Sequence, residues 1–225
     1  PVIDILTSSF LVTAKLAGIA YILAVVLGIV VGVVAAVNHG KWVDSALMTI
    51  SVFGISAPAF WIAIILQIVI CLKFNLLPLS GIDSFKSFIL PGIALGTRYA
   101  ASIARITRTS MLDVLSQDYI RTAEAKGLKG WVVTIKHALR NALIPIITIA
   151  GSDLGNILTG SVLVESVFSI PGIGKMLVDS INTRDLPIVQ GGVMYIAVIC
   201  VIMYLVVDLL YTVVDPRIRL GKESS

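Results

Sequence analysis

This chain of 225 residues has only two cysteines and two histidines. Cys71 and Cys200 stand far apart and form no Cys-x-x-Cys pair, so the sequence indicates neither a disulfide framework nor a cysteine metal site. Free cysteines of this kind are commonly small apolar packing residues. The histidines, His39 and His137, are equally isolated, and we expect no metal site.

Nucleotide-binding and catalytic motifs are also missing. Residues 172–175 read Gly-Ile-Gly-Lys, which lacks the spacing and the following Ser or Thr of a phosphate-binding loop. Neither the metalloprotease motif His-Glu-x-x-His nor the nucleophile motif Gly-x-Ser-x-Gly occurs. We therefore expect this chain to be no enzyme and to hold no cofactor of its own.

Charge is scarce and apolar residues are abundant. The chain is 57% hydrophobic and 13% charged, with a mean hydropathy of +1.00, which is too apolar for a soluble domain of this length. Residues 16–40 and 45–72 contain no Asp, Glu, Lys or Arg, and each exceeds the roughly 20 residues that cross about 30 Å of hydrocarbon. We predict an all-α membrane protein, a polytopic helix bundle whose spans cover approximately residues 11–37, 45–72, 87–107, 142–164 and 187–212.

Three residues inside these spans are unusual for a membrane helix. Pro58 predicts a kink in the second span, because proline removes a backbone hydrogen bond. Arg98 and Asp153 are costly in lipid and should face protein or water. Two roles are open for each: lining a translocation pathway, or forming a structural ion pair. Close helix contact is favoured by small residues spaced four apart at 28–32, 92–96 and 151–155.

The distribution of lysine and arginine sets the orientation. If the first span runs from outside to inside, the external segments carry only Lys73, Lys86, Lys175 and Arg184. The opposite side then carries the larger share, which predicts that it is cytoplasmic. Those cytoplasmic residues are Lys41, Arg105, Arg108, the basic residues of segment 113–141, Arg217, Arg219 and Lys222.

The polar segment from about residue 113 to 141 is the strongest functional candidate. Residues 123–126 favour helix and Gly127 ends a helix at little cost, so we predict two short helices hinged at Gly127. Such a knob suits docking onto a partner, whereas the alternative is an ordinary basic cytoplasmic loop. Its basic residues are Arg121, Lys126, Lys129, Lys136, Arg140 and, if protonated, His137.

Residues 118–141 resemble the cytoplasmic "EAA" loop of binding-protein-dependent ABC importer permeases, and most of all its dipeptide, oligopeptide and nickel branch. The matching stretches are Tyr-Ile-Arg-Thr-Ala-Glu-Ala-Lys-Gly-Leu at 119–128 and His-Ala-Leu-Arg-Asn at 137–141. Similarity continues at 164–174, 184–191 and 215–219. Arg121, Thr122 and Ala123 stand where other branches carry Glu-Ala-Ala, so Glu124 is not the motif glutamate, and Arg140 stands where many carry proline.

The resemblance implies one permease domain over residues 1–225, with five spans and a cytoplasmic coupling helix, in the cytoplasmic (inner) membrane of a bacterium or archaeon. Such a subunit forms half of a pathway for di- or oligopeptides delivered by an external binding protein. The implied partners are a second homologous permease subunit, two ATPase subunits that carry ATP and Mg, the binding protein and membrane lipid, but no nucleic acid. The alternatives are nickel or another small metal chelate as substrate, and, from another class, a secondary transporter. An additional N-terminal helix is expected to precede Pro1.

The same resemblance assigns two sets of residues. The external segment, residues 164–187, is expected to form a gate and a binding-protein contact through Phe168, Pro171, Asp179, Arg184 and Asp185, and the alternative is a surface helix that only seals the bundle. Met176, Leu177 and Ile181 have helical spacing there and predict a short amphipathic helix after Gly172. ATPase coupling is expected in residues 113–141, the coupling segment, through Tyr119, Arg121, Thr122, Ala123, Ala125, Lys126, Gly127, Leu128, His137 and Asn141.

Overall fold

The structure, a computed structural model, describes residues 2–82, 84–159 and 161–214. The basic residues Arg217, Arg219 and Lys222 and the family-like stretch 215–219 lie outside the described residues. The helices are α1 (Val2–Val37), α2 (Trp42–Ser56), α3 (Ala59–Leu66), α4 (Ile89–Leu115), α5 (Asp118–Ala125), α6 (Gly130–Val132), α7 (Arg140–Thr159), α8 (Val162–Val167), α9 (Ile173–Asn182) and α10 (Leu186–Val214). Wider π-helical turns follow α3 at Gln67–Lys73 and precede α7 at Val133–Leu139, and a 3₁₀ turn, Phe85–Phe88, precedes α4.

Helices α1 and α4 form the central pair, and glycine lets their backbones touch. A Cβ atom on Gly28 would lie 2.7 Å from Cβ of Ile103, and one on Gly96 would lie 2.7 Å from the carbonyl oxygen of Ala20. Gly32 meets Thr107 in the same way. The small-residue patterns at 28–32 and 92–96 are therefore packing contacts, as small residues in membrane helices usually are.

Helix α4 is enclosed by its neighbours. It contacts α1, α2, α3 and α7, and it buries Leu95, Ile103 and Met111. Of the three arginines on α4, Arg108 is half-buried, whereas Arg98 and Arg105 are exposed on the surface of the chain.

Three of the described helical stretches are long and apolar enough to cross a membrane: Val2–Val37, Gly130–Leu158 and Leu186–Val207. The bent pair of α2 with the α3 stretch would supply a fourth span. Helix α4, which covers the predicted span 87–107, is not among them, so the number of five spans stays a prediction.

The second predicted span contains a break rather than the expected kink. Helix α2 ends at Ser56, α3 begins at Ala59, and the two helical stretches meet at 106°. Ala57 has the extended backbone that a following proline imposes, with ψ of 129°. A helix of 15 residues such as α2 is about 22 Å long, which is shorter than the hydrocarbon layer. The predicted interruption at Pro58 is present, but it separates two helices instead of kinking one.

Candidate functional site

The coupling segment has the predicted helix–turn–helix form. Helix α5 ends at Ala125, and Gly127 follows with φ of +77°, a left-handed conformation that favours glycine. The N–H of Gly127 donates to the carbonyl of Glu124 at 2.9 Å, and that of Leu128 donates to the carbonyl of Ala123 at 3.4 Å. These bonds close the helix end in the manner of a glycine C-cap.

One face of α5 is seated on the rest of the chain. Ile120 and Ala123 are buried in a cluster that includes Val133 and Ala138 of the following π-helical turn. Ala123 therefore faces its own chain, although the resemblance assigned it to the ATPase contact. The outer face consists of exposed residues, and those assigned to coupling are Tyr119, Arg121, Thr122, Ala125, Lys126, Gly127 and Leu128.

An open cleft of about 430 Å³ lies beside α5. Tyr119 and Asn141, which are 22 positions apart in the sequence, line it together with Asp113 at the end of α4. His137 is only half-buried, and its carbonyl accepts a hydrogen bond from the Asn141 side chain at 2.7 Å. The structure thus joins both matching stretches of the coupling segment into one surface.

A buried ion pair fastens the same side of the bundle. Arg108 of α4 donates from Nε to Oδ1 of Asp44 at 2.6 Å and from Nη2 to Oδ2 at 2.7 Å. The Gly40 N–H also donates to Oδ2 at 3.2 Å, and Nδ1 of His39 lies 3.0 Å from Arg108 Nη2. These bonds, above all those from Arg108, hold the pKa of the Asp44 carboxyl well below its usual range. The pair joins the α1–α2 turn to the helix that leads into the coupling segment.

Polar groups also meet within the membrane-spanning part. Arg98 of α4 lies within electrostatic range of Asp153 of α7, and Oδ2 of Asp153 is buried without a hydrogen-bond partner in the described part of the chain. The hydroxyl of Tyr204 on α10 donates to Oδ1 of Asn156 at 3.3 Å. A Cβ on Gly155 would overlap the Tyr204 ring, so Gly155 of the pattern 151–155 is a packing position.

On the opposite side, the external segment forms α8 and α9. Helix α9 runs from Ile173 to Asn182, which confirms the predicted short helix after Gly172. Pro171, Asp179 and Arg184 are exposed, and Asp185 is half-buried with Oδ1 accepting the Ile188 N–H at 3.3 Å. Phe168, by contrast, is fully buried and packs in the core, so it offers no surface to a binding protein in this structure.

A cleft of about 370 Å³ separates α9 from α1. Ser9 of α1 and Met176 of α9 line it, together with Pro171, Asp179 and Asp185. Elsewhere in the segment, the side chain of Gln67 donates to the carbonyls of Leu79 and Val167 at 2.9 and 3.0 Å, which ties the loop after the π-helical turn to the end of α8. Three of the predicted gate residues therefore share one external surface.

Sequence reasoning missed the residues that hold these surfaces in place. Thr13, Asp44 and Glu165 are buried polar residues, and Glu165 accepts bonds from Thr13 and from α9. Asp44 and Glu165 were visible as lone acidic residues in apolar stretches, whereas nothing in the sequence marks Thr13. In the described ranges no group of three His, Cys, Asp or Glu side chains is placed to hold a metal ion.

Apolar helices around a packed central pair, with one short-helix knob and one capped short helix, define a polytopic membrane helix bundle. The chain belongs to the family of binding-protein-dependent transport system inner membrane components, and the match to this family covers residues 28–220. The resemblance first noted at residues 118–141 is thereby confirmed. The chain is a multi-pass inner-membrane permease subunit of an ABC importer of the peptide and nickel branch. Membership implies ATPase and substrate-binding partners.

The chain is similar in sequence to permeases that are named for different peptides. It is 44% identical over 219 residues to the glutathione transport system permease protein GsiC of Escherichia coli K12. The aligned region covers 97% of this chain and 72% of the relative. It is 45% identical over 221 residues to the dipeptide transport system permease protein DppB of Bacillus subtilis 168, which covers 98% and 72%.

Solved structures support the fold. The inward-facing MetNI methionine ABC transporter superposes with a TM-score of 0.76 at 16% identity and covers 96% of this chain and 98% of that one. An amino acid ABC transporter crystallised with histidines gives a TM-score of 0.71 at 15% identity, with 92% and 93% covered. The predicted fold class, an all-α permease bundle, is confirmed.

Proposed function

We propose that this chain forms half of the translocation pathway of a peptide importer, beside a second homologous permease subunit. The observation that carries the substrate class is the identity of 44% and 45% with permeases named for glutathione and for dipeptides, both of which are peptides. An external binding protein delivers the peptide, and ATP hydrolysis by partner subunits drives its passage inward.

The coupling segment is the proposed contact for the ATPase subunits, which bind ATP and Mg. Its support is a firmly seated α5 whose outer face and adjoining cleft are open. When two ATPase subunits close on ATP, each pulls the α5 that it grips, and α4 transmits the displacement into the bundle. Such a mechanism requires two packings of the helices that differ by only a few kcal/mol.

Arg98 and Asp153 are the proposed contacts for the peptide in the pathway. A peptide is a zwitterion, with an ammonium group at one end and a carboxylate at the other. The two side chains carry complementary charges on neighbouring helices, and a carboxylate oxygen of Asp153 is left without a partner among the described residues. Ionisable groups at membrane depth commonly mark such pathways.

The external segment is the proposed gate and the contact for the binding protein. Pro171, Asp179, Arg184 and Asp185 lie on or beside α9, where a docked protein can reach them. Phe168 contributes from inside, as the buried anchor of α8.

ATPase activity of the complete complex in lipid is the decisive measurement. Candidate binding proteins are added one at a time, loaded with glutathione, a dipeptide, an oligopeptide or chelated nickel. We expect stimulation by a peptide-loaded protein. Stimulation by the nickel-loaded protein alone would transfer the function to metal-chelate import, and a chain that associates with no ATPase would be a secondary transporter.

A further inference from the structure

Glu165 is fully buried, and its carboxyl group accepts three hydrogen bonds, one each from α1, from α9 and from the residue before α8. The Thr13 hydroxyl of α1 donates to Oε1 at 2.7 Å, and the Ser161 hydroxyl donates to the same oxygen at 2.8 Å. The N–H of Lys175 in α9 donates to Oε2 at 3.0 Å. All three contacts place a possible donor on a carboxyl oxygen, so the acceptors of this buried side chain have partners within the protein.

Thr13 completes the connection. Its hydroxyl oxygen accepts the N–H of Ile173, the first residue of α9, at 2.9 Å. The first N–H groups of a helix have no partner within the helix and need one from outside. Here α1 supplies one acceptor and α8 the other, and a carboxylate at a helix N-terminus is favoured by the helix dipole as well.

The start of α9 is shaped to admit this distant acceptor. The usual capping position is occupied by Gly172, which has no side chain to cap the helix itself. A Cβ on Gly172 would lie 2.5 Å from Oε2 of Glu165, and one on Gly174 would lie 3.0 Å from the same oxygen. A side chain at position 172 would therefore displace the carboxyl group of Glu165.

We propose that Glu165 is a positioning residue for transport, which with Thr13 fastens α9 to α1 so that the external gate and α1 move as one body. This inference rests on the proposed role of the external segment as the gate. Breaking the connection leaves a buried carboxylate short of donors, which is far costlier than breaking a surface contact. Because α1 packs closely along α4, and α4 leads into the coupling segment, displacement at the cytoplasmic face reaches α9 through protein contacts alone.

The test is a pair of measurements on the assembled complex in lipid. For the first, Ser9→Cys and Met176→Cys are introduced across the cleft between α1 and α9, in a chain that also carries Cys71→Ser and Cys200→Ala. We expect the disulfide to form at the same rate without nucleotide and with trapped ATP. A rate that changes with nucleotide in the otherwise native chain would overturn the proposal.

The second measurement compares three variants by peptide transported per ATP hydrolysed. Thr13→Val removes the hydroxyl at nearly constant shape, Thr13→Ser retains it, and Glu165→Gln puts an amide donor among existing donors. We expect Thr13→Val and Glu165→Gln to lower this ratio about tenfold and to make the disulfide rate depend on nucleotide. Thr13→Ser is expected to behave as the native chain.

A purely structural role would give a different result. The amount of assembled complex would fall, while the transport-to-ATP ratio and the nucleotide-independent disulfide rate would stay native in what remains. That outcome, or a native ratio in Thr13→Val, would reject the positioning role. Failure of the peptide-importer proposal is seen elsewhere, as the lack of any ATPase stimulation in the native complex.

Discussion

Arg108 and Asp44 form a two-point ion pair between α4 and α2, with both N–O distances below 3 Å, at 2.6 and 2.7 Å. Two parallel bonds between a guanidinium and a carboxylate fix orientation as well as distance. Asp44 lies near the start of α2 and Arg108 near the end of α4, the helix that leads into the coupling segment. The pair is therefore placed to keep α2 and α4 in register if α5 is displaced in the way proposed above.

Removal of the Asp44 charge should destabilise the bundle. Asp44→Asn leaves Arg108 partly buried without its anion, and we expect a loss of about 3 kcal/mol in unfolding free energy, measured by denaturant titration in detergent micelles. Asp118→Asn is the matched control, because its partner Arg121 lies 3.8 Å away and both side chains are exposed. That variant should change stability by about 0.5 kcal/mol or less.

The pH dependence of this effect has a defined sign. The carboxyl of Asp44 has a folded-state pKa below its ordinary value of 3.8, so its stabilisation is complete above that value and is lost as the pH falls through the lower folded pKa. The difference between native chain and Asp44→Asn should hence be constant between about pH 5 and about pH 8. A difference that fades within this interval would contradict the assignment.

Replacement of Gly127 should uncouple transport without blocking membrane insertion. A β-branched residue at φ of +77° costs about 1–2 kcal/mol and opens the turn after α5. Gly127→Val is compared with Gly130→Val, since both glycines have open space around them and only Gly127 has positive φ. We expect both variants to be present in the membrane at the native amount. Only Gly127→Val should lose uptake and fail to retain the ATPase subunits when the complex is purified. Native uptake in that variant would count against docking at this turn.

Contact between α1 and α4 should be sensitive to side-chain volume at Gly28. A Cβ there would lie 2.8 Å from the carbonyl of Ala100, so Gly28→Val is expected to lose about 1–3 kcal/mol through overpacking. Gly18 on the same helix has nothing within 4 Å of such an atom, and Gly18→Val is the control. Thermal denaturation in detergent measures both. Equal effects would show that α1 and α4 separate easily.

Asp153 should affect transport more than stability. We expect Asp153→Asn to lower uptake of a peptide with a free ammonium group about tenfold, about 1.4 kcal/mol, while stimulation of the ATPase by the loaded binding protein persists. Asp153→Glu, which retains the charge, should recover part of the uptake. Unchanged uptake in Asp153→Asn would instead favour a structural ion pair with Arg98.

Local chemistry explains what the sequence predicted well. Apolar stretches without charge predict membrane helices, and the glycine after residues 123–126 predicts the end of α5, because each depends on neighbouring residues only. The angle between α2 and the α3 stretch could not be predicted from the sequence. Proline indicates that a helix is interrupted, but the packing of α3 against α4 and α8 sets how far the chain turns.

The polar connections needed the tertiary structure. Thr13 and Glu165 are 152 positions apart, and Asp44 and Arg108 are 64 apart, so only the assembled bundle brings them together. Ala123 illustrates the converse. The resemblance assigned it to the ATPase contact, yet the side of α5 on which it lies is decided by how the helix packs on residues 133–139. Amphipathic position within a short helix is weakly determined by so few residues.

The coupling segment also carries its own optical reporter. Trp131 directly follows Gly130 and is 69% exposed, and the chain's other two tryptophans are Trp42 and Trp61. An indole that leaves water for a protein interface emits at shorter wavelength. In a chain with Trp42→Phe and Trp61→Phe, the binding and release of a partner beside Trp131 would thus shift the wavelength of tryptophan fluorescence. That shift can be followed in real time during ATP hydrolysis.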